Sequence, residues 1–365
     1  MVHWLIDWMG SIPGQRLFGY ISFRALLAML TAFVMGVFLG RHLINIIFQL
    51  RFRDRIRDYG DISSRDKEGT PTMGGLIIFL AFLVAVLLWC RLDNMFVGIV
   101  VFASFWFVSL GFFDDYLKHM RGHSDAGLSR AAKLFFQAVF GLILAWLVLS
   151  PESTPFPAEI ARGLFVPFFK NPAVDLGFFY YPFVILTVIA ISNSVNFADG
   201  LDGLATVPVA LLAAVYAIFA YIIGNSVIAD YLLYPFVPGS GELVVAMAAL
   251  VGGLAAFLWF NTYPAQIFMG DTGAMFLGGV IGTTAVMLKK ELLFIIAGGI
   301  FVLEFLSVFI QDYVGIKWLK RRIFYRAPIH HTFQFLGIAE PKIVIRFWIV
   351  SVLFALISLI SIKLR

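Results

Sequence analysis

Ten times along its length the sequence enters an apolar run close to the roughly 20 residues that an α-helix needs to cross the hydrocarbon core of a bilayer. The runs lie near 21–40, 73–90, 95–113, 134–149, 178–195, 203–224, 243–260, 272–288, 292–311 and 343–362. Repetition on this scale leaves little room for a soluble fold. Of the 365 residues 61% are hydrophobic and 13% charged, where soluble domains hold about 45–50% and about 25%. No compact soluble body hides that much apolar surface from water. Polar bias, a glycine period and charged heptads are all missing, which removes disordered, collagen-like and coiled-coil chains. A membrane β-barrel would alternate apolar and polar residues along short strands. The stretch Leu76–Leu88 does not alternate. The sequence therefore predicts an all-α integral membrane protein, a polytopic bundle of ten transmembrane helices. The fifth run is the least clean, because Ser192, Asn193, Ser194 and Asn196 interrupt its end.

Lysine and arginine set the orientation, since short cytoplasmic loops concentrate them. The loops after the first, third and ninth runs hold seventeen, from Arg41 to Lys67, Lys118 to Lys133 and Lys317 to Lys342, against eight on the other side. The odd-numbered loops are thus assigned to the cytoplasm and both termini to the periplasm. Residues 1–20 do not read as a signal peptide: an apolar run with a small-residue cleavage site is missing. The proline-containing segment 151–177 reads as a periplasmic connector, and residues 1–365 as a single membrane domain. The lone Cys90 rules out an internal disulfide.

Lipid does not explain where the polar residues fall. Asp114 and Asp115 follow the third run; Asn196, Asp199 and Asp202 follow the fifth. Asn261 and Asp271 bracket the loop after the seventh, and His330 and His331 follow the ninth. All of them fall in odd-numbered loops, whereas helix caps scattered at random would divide between both faces. This co-location points to one cytoplasmic active site. Neighbouring carboxylates such as Asp114 and Asp115 suit phosphate chemistry, holding Mg²⁺ or accepting a proton from an attacking oxygen. On a helix they point about 100° apart and so have different jobs. Lys118, one turn on from Asp114, orients the pair. Asn196 and Asp199 share a helical face, and Gly200 and Gly203 permit a bend and close ligand approach; Asp202 alone reads equally as a helix N-cap. An aromatic ring, Phe268, and an amide, Asn261, suit stacking on and hydrogen bonding to a nucleobase. Gly278 and Gly282 form a GxxxG pair that reads as helix packing. Zinc is rejected, because the two histidines have no further ligand at a suitable spacing. Glu304, inside the ninth run, is a costly intramembrane carboxylate without an evident partner. Carboxylates for Mg²⁺, basic residues, a stacking ring and an apolar body together suit the joining of a nucleotide-activated group to a lipid phosphate.

Five motifs carry a family resemblance. They are Thr70-Pro71-Thr72-Met73-Gly74-Gly75, Asp114-Asp115-Tyr116, the segment from Asn196 to Gly203, the run from Trp259 to Asp271, and Ala327-Pro328-Ile329-His330-His331. Together, and in this order from about residue 22 onward, the chain resembles the phospho-N-acetylmuramoyl-pentapeptide transferases of the polyprenyl-phosphate N-acetylhexosamine-1-phosphate transferase superfamily. The resemblance implies transfer of phospho-MurNAc-pentapeptide from UDP-MurNAc-pentapeptide to undecaprenyl phosphate. The products are lipid I and UMP, in the first membrane step of peptidoglycan synthesis. It also implies Mg²⁺, a homodimer, the bacterial cytoplasmic (inner) membrane and no nucleic-acid partner. By motif, Asp271 corresponds to the metal ligand, Asp114 to the base on the lipid phosphate and Asp115 to a second catalytic carboxylate. Lys67, Thr72, Asn196, Asp199, Gly200, Leu201, Asp202, Asn261 and Phe268 correspond to the nucleoside site, with Phe268 as the stacking ring. His330 and His331 correspond to the histidine motif near the diphosphate and sugar, while Lys118 and Lys133 supply basic contacts. The chain departs from the family pattern at Thr332, Gln334 and Ala126. Two rival readings remain: a sister transferase for UDP-N-acetylglucosamine, which lacks the Pro-Ile-His-His pattern, and a secondary transporter, which would place paired charges at the bilayer midplane in repeated halves.

Overall fold

A computed structural model describes residues 15–50, 52, 69–122, 126–150, 154–170 and 174–364. The long helices are α1 (Ile21–Gln49), α2 (Gly75–Trp89), α3 (Met95–Arg121), α4 (Arg130–Leu149), α5 (Tyr180–Ala198), α6 (Thr206–Ile223), α7 (Glu242–Asn261) and α8 (Gly270–Met287). They are followed by α9 (Gly299–Phe309), the short α10 (Ile329–Phe335) and α11 (Glu340–Ile360). Lipid offers the backbone no hydrogen bonds, so helices that satisfy their own groups are the economical outcome of continuous apolar runs. Among the described residues eight helical segments are long and apolar enough to cross a membrane: α1, α3 to α7, the segment Gly299–Trp318 that begins with α9, and α11; α8 is not among them, and α2, at 15 residues, is shorter. The one sheet among them is a two-stranded antiparallel ladder, Gly163–Leu164 with Val174–Asp175.

Polar caps mark where the apolar runs begin. Asn94 Oδ1 accepts from the Phe96 and Val97 amides ahead of α3, and Ser129 Oγ accepts from the Ala132 amide ahead of α4. The serine and asparagine residues expected to disturb the fifth run do not break α5. Ser194 Oγ donates to the Ala190 carbonyl at 2.6 Å, and Asn193 Nδ2 to the Ile189 carbonyl at 2.8 Å. Side chains that bond back to the preceding turn can sit inside a membrane helix. The ninth run is not one straight helix: it breaks at Gly298 after a short helix, Leu293–Ala297, and α9 then widens into a π-helix over Ile310–Trp318. The adjacent Gly298 and Gly299 weaken the helix there. In the widened end Gln311 Oε1 accepts from the Ile323 and Phe324 amides, which folds the following segment back.

Helix α1 turns small residues inward and large ones outward. On α1 the exposed residues include Leu26, Leu30, Val34 and Phe38, while Ala25, Ala28, Ala32, Gly36 and Gly40 are among the buried ones. A Cβ added to Gly36 would lie 2.6 Å from the Ala256 Cβ of α7. Lipid is as apolar as leucine, so helices gain by close backbone approach rather than by hiding apolar surface. At one end of this interface Arg24 forms a buried pair with Glu242 at 2.5 Å, and the Arg91 amide donates to the same carboxylate. A pair offsets two charges that neither helix could hold there alone.

Helix α8 is the centre: from Thr272 to Met287 every residue is buried. Its Gly278 and Gly282 face α5, as the GxxxG spacing suggests. A Cβ on Gly278 would stand 2.7 Å from Ser192 Cα, and one on Gly282 would stand 3.5 Å from Ile191 Cβ. At the C-terminal end of α8, Lys289 donates to the Ala161 carbonyl and Tyr180 to Glu291, which ties down the segment before α5. The N-terminal end of α8 carries the site. Because backbone opposes position 278, Gly278→Val should lower stability by about 1–3 kcal/mol. A depressed thermal midpoint of the detergent-solubilised protein checks this; an unchanged midpoint contradicts the packing account.

Candidate active site

Four helix ends meet at one cluster. The last turns of α3 carry Asp114, Asp115 and Lys118, the first turn of α4 carries Lys133, the last turn of α5 carries Asn196, and the first turn of α8 carries Asp271. Asp114 and Asp115 are 1% and 4% exposed. Lys133 Nζ lies 2.5 Å from Asp271 Oδ2 and 2.9 Å from Asp114 Oδ2. Lys118 Nζ lies 2.8 Å from Asp114 Oδ2 and 3.1 Å from Asp271 Oδ2. Asn196 Nδ2 donates to Asp271 Oδ1 at 2.9 Å, and the Leu128 amide donates to Asp114 Oδ1 at 2.7 Å.

Asp115 stands farther from Lys118 Nζ, at 3.7 Å, and makes its hydrogen bonds elsewhere. It accepts from the Asp271 amide at 3.2 Å, the Thr272 amide at 2.9 Å and the Thr272 hydroxyl at 2.7 Å. A carboxylate there satisfies unpaired N–H groups at the start of α8 and opposes the positive end of its dipole. The adjacent aspartates do have different jobs, but a helix terminus as the partner of Asp115 had no signal in the sequence.

Carboxylate oxygens of Asp114, Asp115 and Asp271 lie within 4.8 Å of one another. At that separation two unit charges repel by roughly 3 kcal/mol at an effective dielectric of about 20. Among the described residues two ammonium groups offset three carboxylates, a formal excess of negative charge. Asp114 Oδ2 is buried and, although two ammonium nitrogens are near it, makes no aligned hydrogen bond. An all-oxygen donor set with an under-bonded carboxylate fits a hard divalent cation such as Mg²⁺.

Beside this cluster lies the turn from Asp199 to Gly203. Asp202 does not cap α6; its Oδ2 accepts from the Ala265 amide at 3.0 Å, and its own amide donates to Glu340 Oε1 at 3.0 Å. Asn261 Oδ1 accepts from the Gly203 amide at 2.9 Å, and its Nδ2 donates to the Ile267 carbonyl at 2.9 Å. Trp348 Nε1 donates to the Gly203 carbonyl. The amide of Asn261 thus shapes the turn from behind. Phe268 is half-buried, and its backbone pairs with the Thr72 segment: its amide donates to the Pro71 carbonyl and its carbonyl accepts from the Gly74 amide, both at 2.8 Å. Leu201 is buried and Gly200 exposed. His330 packs against Gly200, while His331 Nδ1 lies 2.8 Å from Gln334 Oε1. Thr332 Oγ1 donates to the Arg326 carbonyl at 2.5 Å, so two departures from the family pattern hold the histidine segment in place. The third, Ala126, offers its carbonyl to Arg121.

Of the expected residues, Lys118, Lys133, the three aspartates, Asn196 and the Asp199–Gly203 turn form one linked group. Lys67 lies outside the described residues. Sequence reasoning missed Thr272, Glu340, Trp348 and the Leu128 amide; none stands in a motif of its own. It singled out Glu304 but not His330, which lies 3.2 Å from it, as its partner.

Helix ends that bring carboxylates and lysines together in a polytopic membrane bundle define a membrane-embedded transferase, and the comparisons agree. Residues 97–289 match the family model for glycosyl transferase family 4. Residues 67–79 match the first signature of phospho-N-acetylmuramoyl-pentapeptide transferase. A phospho-N-acetylmuramoyl-pentapeptide transferase of Pelobacter propionicus is 44% identical over 367 residues, covering 100% of both chains. Proteins of the same name from Desulfosudis oleivorans and Citrifermentans bemidjiense are 44% and 43% identical, each over 96% of both chains. The chain belongs to the phospho-N-acetylmuramoyl-pentapeptide transferase family of enzymes.

Removing the carboxylate that caps α8 leaves three donors without their acceptor. Asp115→Ala should destabilise the protein by about 1–3 kcal/mol, in addition to any loss of turnover. Thermal unfolding of the two proteins side by side measures it, and equal midpoints would remove the capping role.

Proposed function

We propose that this enzyme transfers phospho-MurNAc-pentapeptide from UDP-MurNAc-pentapeptide to undecaprenyl phosphate, giving lipid I and UMP. The observation that carries this reading is the cluster in which Asp114 and Asp271 share Lys118 and Lys133, joined through Asn196 to the helix that ends at the Asp199–Gly203 turn. It combines what a phosphoryl transfer between two anions requires: cationic groups to offset phosphate charge and carboxylates to hold a metal and take a proton. The names of the relatives support this donor over the sister UDP-N-acetylglucosamine substrate. Charges gathered at helix ends speak against the transporter.

In this proposal Asp271 would hold Mg²⁺, with Asp114 beside it as the base. The ion would supply charge neutralisation on the diphosphate. Lys118 and Lys133 orient both carboxylates and face the phosphates once substrate enters. Phe268 stacks on the uracil, with Lys67, Thr72, Asn196, Asp199, Gly200, Leu201 and Asp202 around the nucleoside and His330 and His331 near the diphosphate and sugar. Where the lipid phosphate enters as its monoanion, Asp114 takes the remaining proton. A phosphate oxygen then attacks the β-phosphorus of the UDP-sugar, the bond from that phosphorus to the bridging oxygen breaks, and UMP leaves with the electron pair. A direct displacement suffices, because a phosphomonoester with a second pKa near 6 is already largely a dianion at neutral pH.

The same reading places ten spans in the bacterial inner membrane as one domain, both termini outward, the site at the cytoplasmic face and the protein as a homodimer. Lysine and arginine bias supports the orientation.

Asp271→Asn should cut UMP release by roughly a hundredfold or more, because several kcal/mol of charge stabilisation are lost at tenfold per 1.36 kcal/mol. Normal Mg²⁺-dependent release by that variant would refute the metal assignment. For Phe268→Ala, UDP-sugar affinity should weaken by roughly ten- to a hundredfold with folding preserved, from stacking worth about 1–3 kcal/mol. An unchanged affinity counts against the stacking ring.

A further inference from the structure

Glu304, on α9, is 0% exposed, and His330, on α10, is 1% exposed. Glu304 Oε2 lies 3.2 Å from His330 Nδ1. The contact is off the hydrogen-bonding axis. Among the described residues none of the four polar atoms of this pair, two carboxylate oxygens and two ring nitrogens, has an aligned hydrogen-bond partner. Two well-packed apolar residues would fill the same space at lower cost, because a desolvated carboxylate and imidazole lose hydration that an imperfect contact does not restore. The opposite edge of the ring faces the Asp199–Gly203 turn: a Cβ on Gly200 would collide with His330 Nε2. The imidazole is therefore held between a buried carboxylate behind it and the backbone of Gly200 in front. That turn begins shortly after Asn196, which hydrogen-bonds Asp271.

We propose that Glu304 is a positioning residue for His330: it keeps the ring proton on Nδ1 and holds the ring so that Nε2 is presented as an acceptor toward Gly200, shaping the nucleoside side of the site. A carboxylate has only acceptors to offer, so the ring nitrogen beside it carries the hydrogen and the other is left with its lone pair. This inference rests on the transferase reading above. Glu304 touches no reacting group, so its effect passes through the ring and the turn to the nucleotide substrate.

The test is a double-mutant cycle with Glu304→Leu and His330→Asn in the full-length detergent-solubilised protein, assayed by UMP release. Glu304→Leu should raise KM for the UDP-sugar by about 10- to 100-fold, as loss of the group that orients a ligating histidine does, with kcat changed less. Glu304→Gln, which keeps an acceptor, should stay within about fivefold of the wild type. Adding Glu304→Leu to His330→Asn should change little, because the residue through which it acts is already gone. Multiplying effects, or a fall in thermal midpoint with KM unchanged, overturns the proposal and leaves Glu304 a packing residue. A second readout is independent of turnover and of the folding of the leucine variant: ¹⁵N NMR of the wild-type imidazoles, with the His330 signals identified by their loss in His330→Asn. A proton on Nδ1 with Nε2 bare is expected, and a proton on Nε2 alone overturns the proposal. Absence of UMP release from the wild type would instead strike the transferase reading, while the ring proton would still decide what Glu304 does to His330.

Discussion

Three carboxylates drawn within 4.8 Å of one another, with two of them buried, repel unless the protein supplies positive charge and hydrogen-bond donors from several directions. No single helix can do this. The ammonium groups come from α3 and α4, an amide from α5, and a helix terminus from α8 itself. Much of the architecture around the site follows from this requirement. Helix ends that would be ordinary boundaries in another membrane bundle are brought to one point, and the capping of α8 by Asp115 makes part of the charge balance structural.

The close approach that this convergence needs comes from small residues. Glycines in α8 bring its backbone against α5, and the alanine and glycine face of α1 does the same against α7. On α1 the large apolar residues point outward, because lipid gives no penalty for exposing them, while rings such as Phe82, Phe107 and Phe276 still fill the centre of the bundle. The same glycine logic appears beside the nucleoside turn, where the absence of a side chain at Gly200 lets the His330 ring reach the backbone. Packing and chemistry are thus served by one device: a missing Cβ where two pieces of chain must nearly touch.

The turn from Asp199 to Gly203 is held from behind by residues that stand far apart in the chain. Asn261, Ala265, Glu340 and Trp348 all bond to it. An amide such as Asn261 suggests ligand recognition when read along the chain. In three dimensions its donor and one acceptor position are engaged by backbone, because a sharp turn leaves N–H and C=O groups that must be satisfied. Motif residues at such a site divide between those that face a ligand and those that keep the turn in shape, and spacing does not separate the two.

Much of this protein was legible in its residue order. The apolar runs dictated helices, because a bilayer permits little else for stretches of that length and composition. The family resemblance, together with the placement of aspartates, histidines and lysines in alternate loops, marked out the residues that gather at the site. The break at Gly298 and the π-helix beyond it were not legible, since a local geometry of that kind depends on what Gln311 and Gly299 meet from other segments. Nor were the pairings of Asp115 with Thr272, Asp202 with Ala265 and Glu304 with His330. Sequence alone determined the solvent, the helical class and the chemical inventory, because these depend on composition and on neighbours within a turn. Tertiary structure decided which carboxylate meets a lysine and which caps a helix, because a side chain's partner is set by the direction it leaves its helix and by the helix that arrives opposite.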